Sequence, residues 1–145
     1  MDGYGKRVLI AEDDAALRTV VCVILSEAGY NVYEACDGLE ALDALKKRRY
    51  DAVLTDYHMP KLDGLELLDV AQAMWPHTPI ILASSNALLT EQAGHNLLAP
   101  AYAVLPKPFD PSDLLHTVRC ATRGVPKELR SPIQTGSVRT YPAAA

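Results

Sequence analysis

The sequence predicts an α/β fold: a doubly wound parallel sheet with helices on both faces. Three observations predict it. Short apolar runs of strand length alternate strictly with stretches of helical period. Cap signals stand where helical stretches begin. Polar, chemically capable residues fall at the carboxyl ends of four of the five runs, where open α/β sheets bind ligands. Strict alternation of this kind favours parallel strands joined by right-handed crossovers.

The elements follow in order. RVLIA, 7–11, reads as a short buried strand. Leu17, Val20, Val21, Ile24, Leu25 and Ala28 then share one helix face, and Gly29 ends that helix. NVYEA, 31–35, is a second strand. DGLE at 37–40 has the form of a capped helix start, with Leu39, Leu42 and Leu45 as its ridge. The run KKRR, Lys46 to Arg49, closes that helix as a solvated terminus, where cations suit the negative end of the dipole. DAVLT, 51–55, is a third strand. DGLE recurs at 63–66 and opens a third helix, which Pro76 closes. PIILA, 79–83, is a fourth strand. Asn86 to Leu98 reads as a weaker helix, since Gly94 lies inside it. AYAVL, 101–105, is a fifth strand, and DPSD at 110–113 starts a last helix that runs to about Thr122. Beyond Arg123 the periodicity stops. The expected division is a folded domain over 1–123 and a flexible tail or linker over 124–145.

A chain of 145 residues makes one domain the prior. Its net charge of -4 argues against general nucleic-acid binding. Three cysteines, Cys22, Cys36 and Cys120, lack metal-ligand spacing and read as reduced thiols of a cytoplasmic protein, with Cys22 in the core. The N-terminus has no apolar signal core, and no run is long enough to insert into a membrane.

Chemistry gathers at the strand ends. Glu12, Asp13 and Asp14 follow the first strand, Asp56 the third, Ser84 and Ser85 the fourth, and Lys107 the fifth. Carboxylates crowded into one crevice repel unless a cation joins them, and all-oxygen ligands suit a hard ion such as Mg²⁺. A lysine offers a point charge to a phosphate, and a serine hydroxyl can donate to a phosphoryl oxygen. One carboxylate could then act as nucleophile and form an acyl phosphate.

EDD after strand one, DYHMPKLDG after strand three, a serine after strand four and KPF after strand five resemble the receiver domain of bacterial two-component response regulators. The resemblance covers about Lys6 to Thr122, with the four motifs in order. It implies a flavodoxin-like (βα)5 sheet of strand order 2-1-3-4-5. It implies that Asp56 is the phospho-accepting residue and Asp13 a direct Mg²⁺ ligand. Glu12 is then its acidic partner through water, and the backbone carbonyl of His58 a further ligand. Ser84 becomes the switch hydroxyl and Lys107 the phosphate-binding lysine, placed by a cis Lys107–Pro108 bond. His58, Ser85 and Asn86 stand where they would tune access and rate. The implied partners are a histidine kinase or a histidine phosphotransfer protein and an unknown downstream target, with the chain a monomer or weak dimer.

Plainer readings stand beside these. An aspartate at a strand end is most often a cap or turn former, and Asp14 and Asp63 read that way. His58 is by default an exposed loop residue. Ser85 stands where receivers usually carry Ala or Gly, and Val104 where they usually carry an aromatic; the nearby Tyr102 is two residues further back. Pro100-Ala101 replaces a usual Gly-Ala pair. Two rival functions meet obstacles in the sequence. An aspartyl-phosphate phosphatase of the haloacid dehalogenase type would carry its DxD on the first strand, whereas Asp56 is on the third. A binding-only pseudo-receiver would not need the full set of Glu12, Asp13, Asp56, Ser84 and Lys107. The activity expected is self-phosphorylation and autodephosphorylation at Asp56, with no independent turnover substrate.

Overall fold

The computed structural model describes residues 3–85 and 99–129. Five strands, β1 (Arg7–Ala11), β2 (Asn31–Ala35), β3 (Ala52–Asp56), β4 (Ile80–Ser84) and β5 (Ala103–Pro106), form one parallel sheet of order β2-β1-β3-β4-β5. Among the described residues there are four helices: α1 (Ala15–Glu27), α2 (Gly38–Lys47), α3 (Gly64–Met74) and α4 (Pro111–Thr122). The helix expected over 86–98 and most of the expected tail lie outside the described residues.

The strands are apolar on both sides because both faces of the sheet are covered. Val8 and Ile10 of β1 join a core with Val21 and Leu25 of α1 and Leu114 and Val118 of α4. Leu9 and Ala11 point the other way, into a core with Ala41 and Leu45 of α2 and Leu67 and Leu68 of α3. A strand's side chains alternate across the sheet, so one short run feeds two cores.

The helix starts follow local chemistry. Asp14 accepts from the Ala16 and Leu17 N–H groups, so it is the cap of α1. Asp37, Asp63 and Asp110 cap α2, α3 and α4 in the same way, and Pro111 takes the first turn of α4. Asp63 and Glu66 complete a reciprocal capping box.

Some expected boundaries and faces differ. Strands β3 and β4 each extend one residue further, so Asp56 and Ser84 are last strand residues rather than residues beyond the strand. Their pairing decides this: Asp56 lies opposite Ala83, and Ser84 opposite Pro106. Strand β5 starts two residues later than expected, at Ala103, and pairs with β4 alone. Val20 and Leu39 were assigned to inward faces but are exposed, at 53% and 49%. Each is at the border of its apolar stripe, and among the described residues the packing leaves that border open. Cys22 is half-buried against the α1/α4 core rather than within it.

The chain turns back after α4. The Val125 N–H donates to the Cys120 carbonyl at 3.0 Å, and the Tyr102 hydroxyl donates to the Val125 carbonyl at 2.7 Å. The Lys127 ammonium donates to the carbonyls of Ala99 and Ala101. The start of the segment beyond Arg123 thus lies against the approach to β5.

Candidate functional site

The carboxyl ends of β1, β3 and β5 bring Glu12, Asp13, Asp56 and Lys107 together. Glu12 follows β1 directly and is 6% exposed. Its Oε2 accepts from the Asp14 N–H at 3.1 Å, and its Oε1 accepts from Lys107 Nζ at 2.9 Å. The same ammonium lies 3.0 Å from Asp56 Oδ1. Lys107 therefore bridges two carboxylates that would otherwise repel. Glu12, Asp13 and Asp56 each offer an oxygen within 4.8 Å of the others, with Asp13 on the solvent side.

Burial acts on Glu12 and Lys107 in opposite senses. It pushes the Glu12 carboxyl above the usual carboxylate range, and the bonds from Lys107 and the Asp14 N–H offset only part of that. Burial by itself would lower the Lys107 amine. Its hydrogen bonds to Glu12 and Asp56 outweigh that, and its pKa ends up raised. The ammonium is thereby held protonated between the two carboxylates.

The backbone fixes the positions. The Lys107 N–H donates to the Ser84 carbonyl at 2.8 Å, and the Lys107–Pro108 bond is cis, as the resemblance implied. Ser84 is buried at 3% exposure beside the crevice, and Ser85 is exposed at its rim. Asn86 lies outside the described residues. The His58 side chain is exposed, with its ring 4.8 Å from that of Tyr57.

Residues that sequence reasoning passed over hold the loops in place. Arg18 of α1 donates to the Glu12 carbonyl at 2.5 Å and pairs with Glu34 of β2 at 3.2 Å, which ties the acidic loop to two elements. The buried Thr55 hydroxyl donates to the Asp56 carbonyl at 3.1 Å. Lys61 takes φ 72° in the loop after β3 and pairs with Asp37 at 3.4 Å. Gly64 brings α3 so close to β3 that a Cβ there would stand 2.4 Å from the Asp56 carbonyl oxygen. The Asp-Gly pair was legible as a turn signal; nothing local marked Arg18 or Thr55.

A second group, Cys36, Asp37 and Glu40, also lies within 4.8 Å. Its contacts are those of a helix start: Glu40 accepts from the Cys36 N–H, and Asp37 accepts from the Glu40 N–H. It is a cap.

The family model described as the response regulator receiver domain matches residues 8–119. The chain belongs to the response regulator receiver domain family. Its sequence is 38% identical over 117 residues to the response regulator MprA of Mycobacterium sp. (strain KMS), covering 81% of this chain and 50% of that protein. The chain thus spans about half the length of the curated relatives it matches. Among solved structures it is similar to a CheY-like receiver domain protein from Methanospirillum hungatei JF-1. That match has TM-score 0.76 and 32% identity, over 85% of this chain and 96% of that one. The response regulator TrrA from Thermotoga maritima, solved in complex with Mg²⁺-BeF, matches with TM-score 0.74 and 27% identity, over 80% and 98%. The receiver is a phospho-accepting domain of two-component signalling, and none of these matches points to the phosphatase or the pseudo-receiver reading. No described helix of the receiver is long and apolar enough to cross a membrane.

Proposed function

We propose that Asp56 is the phosphoryl acceptor, and that the donor is a phosphohistidine of a histidine kinase or a histidine phosphotransfer protein. The observation that carries this reading is the Lys107 ammonium, 2.9 Å from Glu12 and 3.0 Å from Asp56 in a largely buried crevice. An Asp56 oxygen attacks phosphorus in line, the P–N bond of the donor breaks, and the imidazole leaves with the electron pair and takes up a proton. Lys107 then turns its charge from the carboxylates to a phosphoryl oxygen. The Ser84 hydroxyl, already at the crevice, donates to another. Hydrolysis of the acyl phosphate restores Asp56, so no separate turnover substrate is required. His58 and Ser85 border the path of the attacking water and of the donor, and Asn86, outside the described residues, is assigned to the same role from the sequence alone.

The donor set fits Mg²⁺: three carboxylates within 4.8 Å and no soft ligand among them. Asp13, Asp56 and the His58 carbonyl would hold the ion, with Glu12 reaching it through water. When bound, the ion supplies positive charge to the phosphoryl oxygens. A cytoplasmic place follows from the kinase partner, and the downstream partner is a protein that reads the phosphorylated surface. The test is phosphoryl transfer from a small phosphoramidate donor with Mg²⁺, followed by mass mapping. Label at Asp56, and its loss in Asp56→Asn, is expected. Label on Glu12 or Asp13 in the parent protein would refute the assignment.

A further inference from the structure

The run Lys46 to Arg49 does more than finish a helix. It forms one wall of a cavity of about 420 Å³, at the end of the sheet opposite Asp56. Tyr50, Met74 and Trp75 supply the apolar part of the lining. Tyr50 is buried at 6% exposure, Trp75 packs against the α2/α3 core, and Met74 is 60% exposed.

The charge here exceeds what the helix ends require. The C-termini of α2 and α3 both face this cavity, and together they carry roughly one negative charge. Against them stand four cationic side chains. Lys47 pairs with Asp43 at 2.9 Å, and the Arg48 guanidinium lies 4.7 Å over the Tyr33 ring. Among the described residues, no carboxylate is within ion-pair distance of Lys46, Arg48 or Arg49. A positive surplus therefore lines an apolar hollow, in a chain whose net charge is -4.

We infer that this groove docks an acidic peptide segment of a partner protein, with one apolar side chain in the hollow and carboxylates on Lys46, Arg48 and Arg49. Arginine forks suit carboxylates in a bidentate manner. Helix C-termini also decide between peptide and nucleotide. They repel carboxylate and phosphate alike, but they present carbonyl oxygens that accept from the backbone N–H groups a peptide brings and a phosphate lacks. Phosphate sites use helix N-termini instead. The chain's own last residues are a poor occupant, because Lys127, Arg130 and Arg139 outnumber Glu128 there. The groove is roughly 20 Å along β3 from Asp56. A partner held here leaves the phosphorylation crevice open to its donor.

Trp75 is the only tryptophan and lines the groove, so its emission reads binding directly. The full chain is titrated with a short peptide carrying Glu and Asp around a Leu pair. Its Lys-substituted counterpart, ATP and vesicles containing phosphatidylserine are titrated in parallel. Saturable change with the acidic peptide alone is expected, weakened by salt and unaltered by Mg²⁺ with beryllofluoride. The double variant Lys46→Glu/Arg49→Glu should weaken it by about tenfold or more while keeping the parent rate of phosphorylation, which certifies its fold. The proposal is overturned if the acidic peptide does not bind, or if the Lys peptide, ATP or vesicles bind as well as it does. It is equally overturned if charge reversal changes nothing, or if the emission instead follows self-association of the chain.

Discussion

Gly64 offers the sharpest test of how the fold holds Asp56. It starts α3, and its φ is not in the left-handed region, so conformational freedom is not why glycine stands there. Space is the reason. A Cβ would lie 2.4 Å from the Asp56 carbonyl oxygen, 2.9 Å from Tyr57 Cα and 3.0 Å from Leu82 Cδ2. Two of these neighbours are backbone, so β3 or α3 must shift in Gly64→Ala. Overpacking of this kind costs about 1–3 kcal/mol. Alanine's better helix propensity returns at most about 1 kcal/mol. The tightest contacts are with backbone, so the cost falls in the upper part of the overpacking range, about 2–3 kcal/mol, and a net loss of about 1–2 kcal/mol is expected, or roughly 3–8 °C in Tm for a chain of this size. The shift falls on the backbone that carries Asp56, so phosphorylation by a small donor should slow as well. Gly124→Ala is the control. Its φ is 74° and nothing lies within 4 Å of its Cβ, so the variant suffers backbone strain far from the crevice. It should lose about 1 kcal/mol and keep the parent phosphorylation rate. Urea denaturation and single-turnover phosphorylation measure both. Parent-like stability and rate in Gly64→Ala would refute the argument that this close approach positions Asp56.

Other outcomes follow from the same structure. Mg²⁺ should raise the Tm of the parent protein, by the free energy of binding to the folded state alone, about 2.7 kcal/mol at 100 times the dissociation constant; Asp13→Asn should abolish the rise, and a parent melt indifferent to Mg²⁺ would count against the acid cluster. Burial pushes the Cys22 thiol up from 9.0 to about 11, so its contribution to stability is complete below pH 9 and is lost as pH rises to about 11. Melts of the parent and of Cys22→Ala across that window should converge toward the alkaline end, and a constant difference would mean that Cys22 is not held neutral by the fold. Ser85 stands exposed at the rim of the crevice, so Ser85→Ala should speed both phosphorylation by small donors and loss of phosphate. Equal rates in the two proteins would show that its side chain does not crowd the phosphoryl position.

Much of this receiver was legible from its sequence because local physics acts over a few residues. Strand-length apolar runs, helical periodicity and the caps Asp14, Asp37, Asp63 and Asp110 all resolve within one turn of chain, and each stands where the sequence places it. Alternating strands and helices imply a parallel sheet. They do not imply its strand order, which came from the motif resemblance and which the structure bears out. The ends of β3 and β4 needed the sheet itself, since a strand stops where its neighbours stop pairing with it. The exposure of Val20 and Leu39 needed the packing of whole helices, because periodicity defines a stripe but not how far the opposite surface covers it.

The site divides in the same way. Which side chains gather at the crevice was readable, since each stands at or just past the carboxyl end of a strand and strand ends converge by topology. Their working contacts were not. The bond from Lys107 to Glu12 joins residues 95 positions apart. Arg18 reaches the Glu12 carbonyl only because α1 folds back over β1, and Gly64 leaves no room for a side chain only because α3 presses on the Asp56 carbonyl. The KKRR run is the exposed helix end that the sequence predicts, but only the tertiary structure sets Trp75 and Met74 beside it. By itself, sequence determined the elements, their caps and the inventory of reactive groups. Only tertiary structure decided which groups meet, because that depends on distances between segments remote along the chain.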